Sequence, residues 1–180
     1  DIQKILTAVP GLYMRTEEGY GLRPNISIRG TAIERSAKVA IMEDGVLVAP
    51  SPYTSSSAYY FPTTARIHAV EVLKGPAAVS QGPQTIGGAI NLISTPIPNT
   101  PSGKFTQELG ENGMKRTHLY AGGTNGNFGG LVEIHEHESD GFDSIANVGG
   151  DTGFDKSDLM VKARYENGNH SLTLKMVDLD

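Results

Sequence analysis

Two rhythms of hydrophobic and polar positions run along this chain of 180 residues. At the start, Ile2, Ile5, Leu6 and Val9 recur at helical spacing, Asp1 is placed to cap the first turn, and Pro10-Gly11 ends the element. Asn25–Arg29 then sets Ile26 and Ile28 between polar neighbours and breaks at Gly30. The apolar run Val39–Met42 is followed by Glu43-Asp44-Gly45-Val46, a tight turn with Asp-Gly at its centre. Val70, Val72 and Leu73 begin a further strand that Gly75-Pro76 stops. Pro76 opens a helix of one to two turns over Ala77–Gln81, and Ala89–Ser94 is the last strand of this region. The pattern predicts an α+β unit: a small mixed sheet of four or five short strands with short helices.

Beyond about residue 103 the period becomes two. Phe105, Gln107 and Leu109 alternate with Lys104, Thr106 and Glu108; Thr117, Leu119 and Ala121 with Arg116, His118 and Tyr120; Val132 and Ile134 with Leu131, Glu133 and His135. Leu159, Val161, Ala163 and Tyr165 alternate with Met160, Lys162, Arg164 and Glu166, and Leu172, Leu174 and Met176 with Ser171, Thr173 and Lys175. Five antiparallel strands are predicted, joined at 111–114, 124–127, a long connection at 139–157, and 167–169. Asn-Gly at 112–113, 125–126 and 167–168 is the pair that a type I′ turn prefers. Such strands suit either a soluble sandwich or an outer-membrane barrel, whose apolar face meets lipid and whose polar face lines the lumen. Charged side chains on the polar face, and one long loop among short turns, favour the barrel. Five strands cannot close a membrane barrel of eight or more, so the chain is expected to be a fragment of a longer one.

Composition divides the chain at the same place. Nine of ten prolines lie in residues 1–98 and thirteen of 22 glycines in 99–180, while the net charge is +1 in the first part and −6 in the second. The stretch from Thr95 to Pro101 carries three prolines, which removes backbone donors and marks a junction between a domain at 1–98 and a set of strands at 99–180. The chain has no cysteine, which excludes disulfides and thiolate chemistry. A net charge of −5 gives no reason to expect nucleic acid as a partner.

In order along the chain stand Asp1-Ile2-Gln3-Lys4-Ile5-Leu6 with Val9-Pro10-Gly11-Leu12, then Asn25-Ile26-Ser27-Ile28-Arg29-Gly30, then Met42-Glu43-Asp44-Gly45-Val46. Ile67 through Pro76, with Val70-Glu71-Val72-Leu73-Lys74-Gly75-Pro76, and Gly82 through Asn91, with Gly87-Gly88-Ala89-Ile90-Asn91, complete the series. This series resembles the TonB-dependent outer-membrane receptors, within them the ferric-citrate type. The resemblance implies a plug of residues 1–98 seated in a transmembrane β-barrel of about 22 strands, of which the chain holds the first five. It implies a receptor and TonB-energised transporter of a ferric chelate or siderophore in the outer membrane of a Gram-negative bacterium. The partners implied are TonB with ExbB and ExbD, acting through a box upstream of residue 1, and outer-membrane lipid. Iron would enter only with the transported chelate, with no cofactor of the protein's own. The same architecture serves heme, cobalamin and oligosaccharides, and a soluble β-rich binding or adhesion module is a third reading, from another class.

On this resemblance the hydroxyl- and tyrosine-rich stretch 50–60 falls at the outward apex of the plug, with Tyr53, Ser55, Ser57 and Tyr59 as ligand contacts and Tyr20 and Arg23 beside them. Hydroxyl and basic groups suit an anionic chelate through charge-assisted hydrogen bonds. Inside a barrel, Arg29, Glu71 and Lys74 would be partly withdrawn from water, so they are expected to pair with charged lumen side chains and hold the plug. Glu133, His135 and His137 share one strand face at a spacing open to a transition metal, but no further ligand at their depth is evident, and they are read as polar lumen lining. Asp140, Asp143, Asp151, Asp155 and Asp158 lack the order of an EF-hand. Gly82–Gly88 lacks the Lys-Ser/Thr of a phosphate loop, no nucleophile elbow or His-Glu-x-x-His helix occurs, and no catalysis is expected.

Overall fold

The structure is a computed structural model that describes residues 2–16, 24–48, 61–141, 144–145 and 150–180. It contains two compact units, Asp1–Thr95 and Pro96–Asp180.

In the first unit, helix α1 (Ile2–Thr7) buries Ile2 and Leu6, while Ile5, expected on the same face, is 51% exposed. With six residues the helix has room for only a narrow buried stripe, and Val9 completes it from beyond the helix end. Strand β1 (Leu12–Thr16) pairs antiparallel with β2 (Pro24–Ile28). The sequence pattern did not mark β1, whose five residues offer only two apolar inward positions, the buried Leu12 and the half-buried Met14. Four further strands, β3 (Val39–Glu43), β4 (Val46–Leu47), β5 (Ile67–Lys74) and β6 (Gly88–Ser94), form a sheet in the order β4-β3-β6-β5. Strand β6 runs parallel to β3 and antiparallel to β5, so the sheet is mixed. Leu6, Ile26, Ile28, Val39, Ile41, Ile90 and Leu92 make the shared core.

Asp44 and Gly45 both have positive φ, 50° and 82°, between the paired residues Glu43 and Val46, so the tight turn expected there is a type I′ hairpin. Pro76–Gln81 forms a short 3-10 helix after β5. Gly88 permits the β5–β6 approach: a Cβ on it would stand 2.4 Å from the Leu73 carbonyl oxygen.

The second unit is an antiparallel sheet of β7 (Ser102–Leu109), β8 (Lys115–Asn125), β9 (Phe128–Ser139), β12 (Phe154–Asn167) and β13 (His170–Leu179), each paired with its neighbour in sequence. The small pair β10 (Ser144–Ile145) and β11 (Gly150–Asp151) lies between β9 and β12. Strands β9 and β12 run further than the alternation indicates, pairing Ser139 with Phe154, so the long connection is 140–153 rather than 139–157. Apart from Phe154 the paired residues there are polar, and the backbone ladder continues without a period-two hydrophobic signal. The unit also takes in residues 96–98, which the composition had assigned to the first part. Ile97 packs on Leu131 and Met160, and the Pro98 carbonyl accepts a 2.8 Å hydrogen bond from the Thr124 hydroxyl.

The turn chemistry divides in two. Asn112 and Gly113 occupy the centre of a turn with φ of 55° and 65°, as type I′ requires. At the other two sites the Asn belongs to the strand, paired Asn125 to Phe128 and Asn167 to His170, and only Gly126 and Gly168 have positive φ. Positive φ at the first central position alone is the type II′ pattern.

The two faces of this sheet are inverted relative to a water-soluble one. Leu131, Glu133, His135, His137 and Ser139 of β9 and Asp158, Met160 and Lys162 of β12 are buried. Phe105, Leu119, Val132, Leu172, Leu174 and Met176 are exposed, and Ala121, Ala163 and the half-buried Ile134, Leu159 and Val161 share their face. Among the described residues no helix is long and apolar enough to cross a membrane, a criterion that does not bear on strands.

Candidate functional site

The apical ligand contacts expected at Tyr20, Arg23, Tyr53, Ser55, Ser57 and Tyr59 lie outside the described residues, as does Asp1. The three charged residues expected to hold the plug are described, and two of them converge. Arg29 follows β2 with φ 53° and donates its backbone N–H to the Gly11 carbonyl at 2.7 Å. Its stem lies against Gly11 and its guanidinium against Gly75, where an added Cβ would come within 3.8 and 3.4 Å respectively. Lys74, next to Gly75, donates from Nζ to the Pro10 carbonyl at 3.0 Å. Two cations therefore meet at the Pro10-Gly11 turn, and among the described residues neither forms an ion pair. Glu71 belongs to a different network: it accepts 3.0 Å from Asn91 Nδ2, and Asn91 Oδ1 accepts 2.9 Å from the Gly45 N–H.

Sequence reasoning missed the main polar feature of this unit. Arg66, fully buried, donates from Nε and Nη2 to the two carboxylate oxygens of Glu43 at 3.1 and 2.8 Å. The Arg66 carbonyl accepts from the Thr95 N–H and hydroxyl, tying the end of the unit to the start of β5. Beside it, Asp44 accepts from the Ser94 N–H and hydroxyl. A two-point guanidinium–carboxylate fork needs both groups in one plane. Nothing in a residue pattern places positions 43 and 66 together; only the pairing of β3 and β5 with β6 does so.

On the buried face of the second unit, cross-strand register gathers the polar residues into rows. Arg116 stands opposite Glu108 and His137, with Nη1 2.8 Å from Glu108. One step along, His118 stands opposite His135, which in turn stands opposite Asp158. His118 Nε2 is 2.6 Å from Glu133 Oε1. Glu133, His135 and His137 do share the buried face, as the alternation implied. On the outer face, the exposed pair Lys115–Glu138 closes at 2.6 Å.

A small mixed sheet with an Ile-Arg-Gly corner, followed by strands whose polar face is buried and whose apolar face is open, defines a class: a plug and barrel wall of the receptor type. Residues 1–89 match the TonB-dependent receptor plug domain, and the chain belongs to the TonB-dependent receptors of the Gram-negative outer membrane. It is 27% identical to the vitamin B12 transporter BtuB of Photobacterium profundum, over 93% of this chain and 30% of that protein. Its fold is that of the ferric yersiniabactin uptake receptor FyuA of Yersinia pestis, with TM-score 0.76 and 22% identity over 97% of this chain and 28% of that one. The pyoverdine outer membrane receptor FpvA of Pseudomonas aeruginosa PAO1 gives TM-score 0.75 and 20% identity, over 98% and 24%. The chain thus spans about three tenths of the length of the curated relatives it matches. The family consists of receptors and transporters, not enzymes.

Proposed function

We propose that this receptor is a TonB-energised active transporter of a ferric chelate, ferric citrate or another siderophore, with the plug gating the barrel. The observation that supports it is the shared fold with solved receptors for siderophores, yersiniabactin and pyoverdine among them, across essentially the whole chain. TonB, with ExbB and ExbD, supplies the energy, and iron is cargo rather than a resident cofactor. A second reading, cobalamin transport, is favoured by one specific observation: two relatives with 27% identity are vitamin B12 transporters. Equilibrium titration of the purified full-length receptor separates the two. Saturable binding of ferric citrate or another ferric siderophore, without binding of cyanocobalamin, supports the first reading; the reverse result selects the second.

Within this proposal the segment holding Tyr53, Ser55, Ser57 and Tyr59 contacts the chelate, with Tyr20 and Arg23 nearby. Replacing those first four together with alanine is expected to weaken chelate binding at least tenfold, or about 1.4 kcal/mol. Unchanged affinity in a correctly inserted variant removes the segment from the ligand site. Arg29 and Lys74 pair with carboxylates of the barrel lumen and Glu71 with a lumen cation. The double variant Arg29→Ala/Lys74→Ala is therefore expected to loosen the plug, read as a larger and more frequent conductance in planar bilayers. A wild-type conductance record would show that the plug is held by other contacts.

A further inference from the structure

We propose that the inner face of β8 and β9 carries a transition-metal site built from His118, Glu133 and His135. The sequence shows Glu133 and His135 on one strand and leaves them a ligand short. The sheet register supplies the missing one, because His118 is the direct cross-strand partner of His135 and its ring centre lies 6.1 Å away. Two imidazoles sharing one ion, with metal–nitrogen bonds of about 2.0–2.1 Å, have ring centres about 5–6 Å apart. The observed spacing is at the open end of that range.

Unmet bonding demand marks the same place. Glu133 is 1% exposed; Oε1 meets His118, and Oε2 has no hydrogen-bond partner among the described residues. His135 is 4% exposed, and neither Nδ1 nor Nε2 has one. Buried polar atoms left unmatched cost free energy, and most are satisfied in native proteins. A divalent cation answers two of these needs together, the lone pair of one His135 nitrogen and the second carboxylate oxygen, and takes the His118 nitrogen as its third ligand. As the side chains lie, no three such donors among the described residues are gathered closely enough to hold an ion. Binding therefore requires His118 to release Glu133 and turn toward His135. In the metal-free form the contact between His118 and Glu133 takes the place of the ion.

Two imidazoles and one carboxylate are a borderline donor set, suited to Zn²⁺, Co²⁺ or Ni²⁺ and too nitrogen-rich for Mg²⁺ or Ca²⁺. Three protein ligands leave a fourth position for water or an incoming donor. His137, two residues further along, is outside the set. Its ring stands edge-on to Phe154 with centres 4.7 Å apart, and its Nε2 lies 3.5 Å from Arg116 Nη2.

The test is titration of tag-free, full-length receptor in detergent with Zn²⁺ by calorimetry and with Co²⁺ by visible absorption. The expected result is one equivalent bound, with the intense visible bands of low-coordinate cobalt. His118→Ala and His135→Ala should each weaken binding at least about tenfold, and His137→Ala should leave it unchanged. Glu133→Gln keeps the side-chain shape and serves as the second variant should either alanine variant fail to insert; it too should weaken binding. No stoichiometric binding by the wild type, or affinity unaffected by these changes, overturns the proposal. Neither outcome depends on which chelate the receptor carries, since the probe is the bare ion.

Discussion

Arg66 and Glu43 show how much one buried pair can decide. Removing either partner leaves a charge in an apolar setting, which costs about 3–5 kcal/mol, whereas replacing both with apolar groups is often close to neutral. Arg66→Met alone is therefore expected to destabilise the four-stranded sheet by about that amount, and Arg66→Met with Glu43→Leu to recover most of it. Hydrogen exchange of β3 and β6 amides in the full-length receptor measures both: protection should fall in the single variant and return in the double. Equal loss in the two would mean that the fork itself, not its unpaired remnant, sets the stability. At the same scale, Gly168 carries φ 57° in a two-residue turn where nothing crowds a side chain. Gly168→Ala is then a test of backbone strain alone, expected to cost about 1 kcal/mol in denaturant unfolding.

Among the elements, legibility in the sequence followed the hydrophobic contrast. Strand β2, the Asp44-Gly45 hairpin and β8, β9, β12 and β13 were readable because period-two alternation or turn chemistry survives in them. Strand β1 and the paired ends of β9 and β12 at 136–139 and 154–157 were not, since none carries more than two inward apolar residues, too few to show a period. The Arg66–Glu43 fork and the opposition of His118 to His135 were hidden for a related reason: each joins residues whose proximity depends on which strands pair. The outer stripe of Leu119, Ala121, Val132, Ile134, Leu159, Val161, Ala163, Leu172 and Leu174 is expected to face lipid. Spin labels at Val132, Val161 and Leu174 in the full-length receptor should be relaxed by dissolved oxygen more than by a water-soluble nickel chelate. Val132→Arg should cost about 2–4 kcal/mol if that site lies at the bilayer midplane. Preferential relaxation by the nickel reagent would place the stripe in water instead.

For the molecule as a whole, the two units follow opposite rules. Among the described residues, those in 1–95 bury isoleucine, leucine and valine and expose most of their charge, as any water-adapted unit does, and the buried Arg66–Glu43 pair is the exception that its fork satisfies. Residues 96–180 bury histidine, glutamate and lysine beside Leu131 and Met160 and leave Leu119, Val132, Leu172 and Leu174 outside. That inversion is written largely one residue at a time, the outward apolar side chains falling at every second position. Stretched out, such a segment has no long greasy block, so secretory machinery that halts hydrophobic helices at an inner membrane finds nothing to arrest. The oily surface comes into being only when the strands pair and every second side chain turns the same way. Export as an unfolded thread and residence in a lipid layer, two demands that conflict for a helical protein, are reconciled by a period of two.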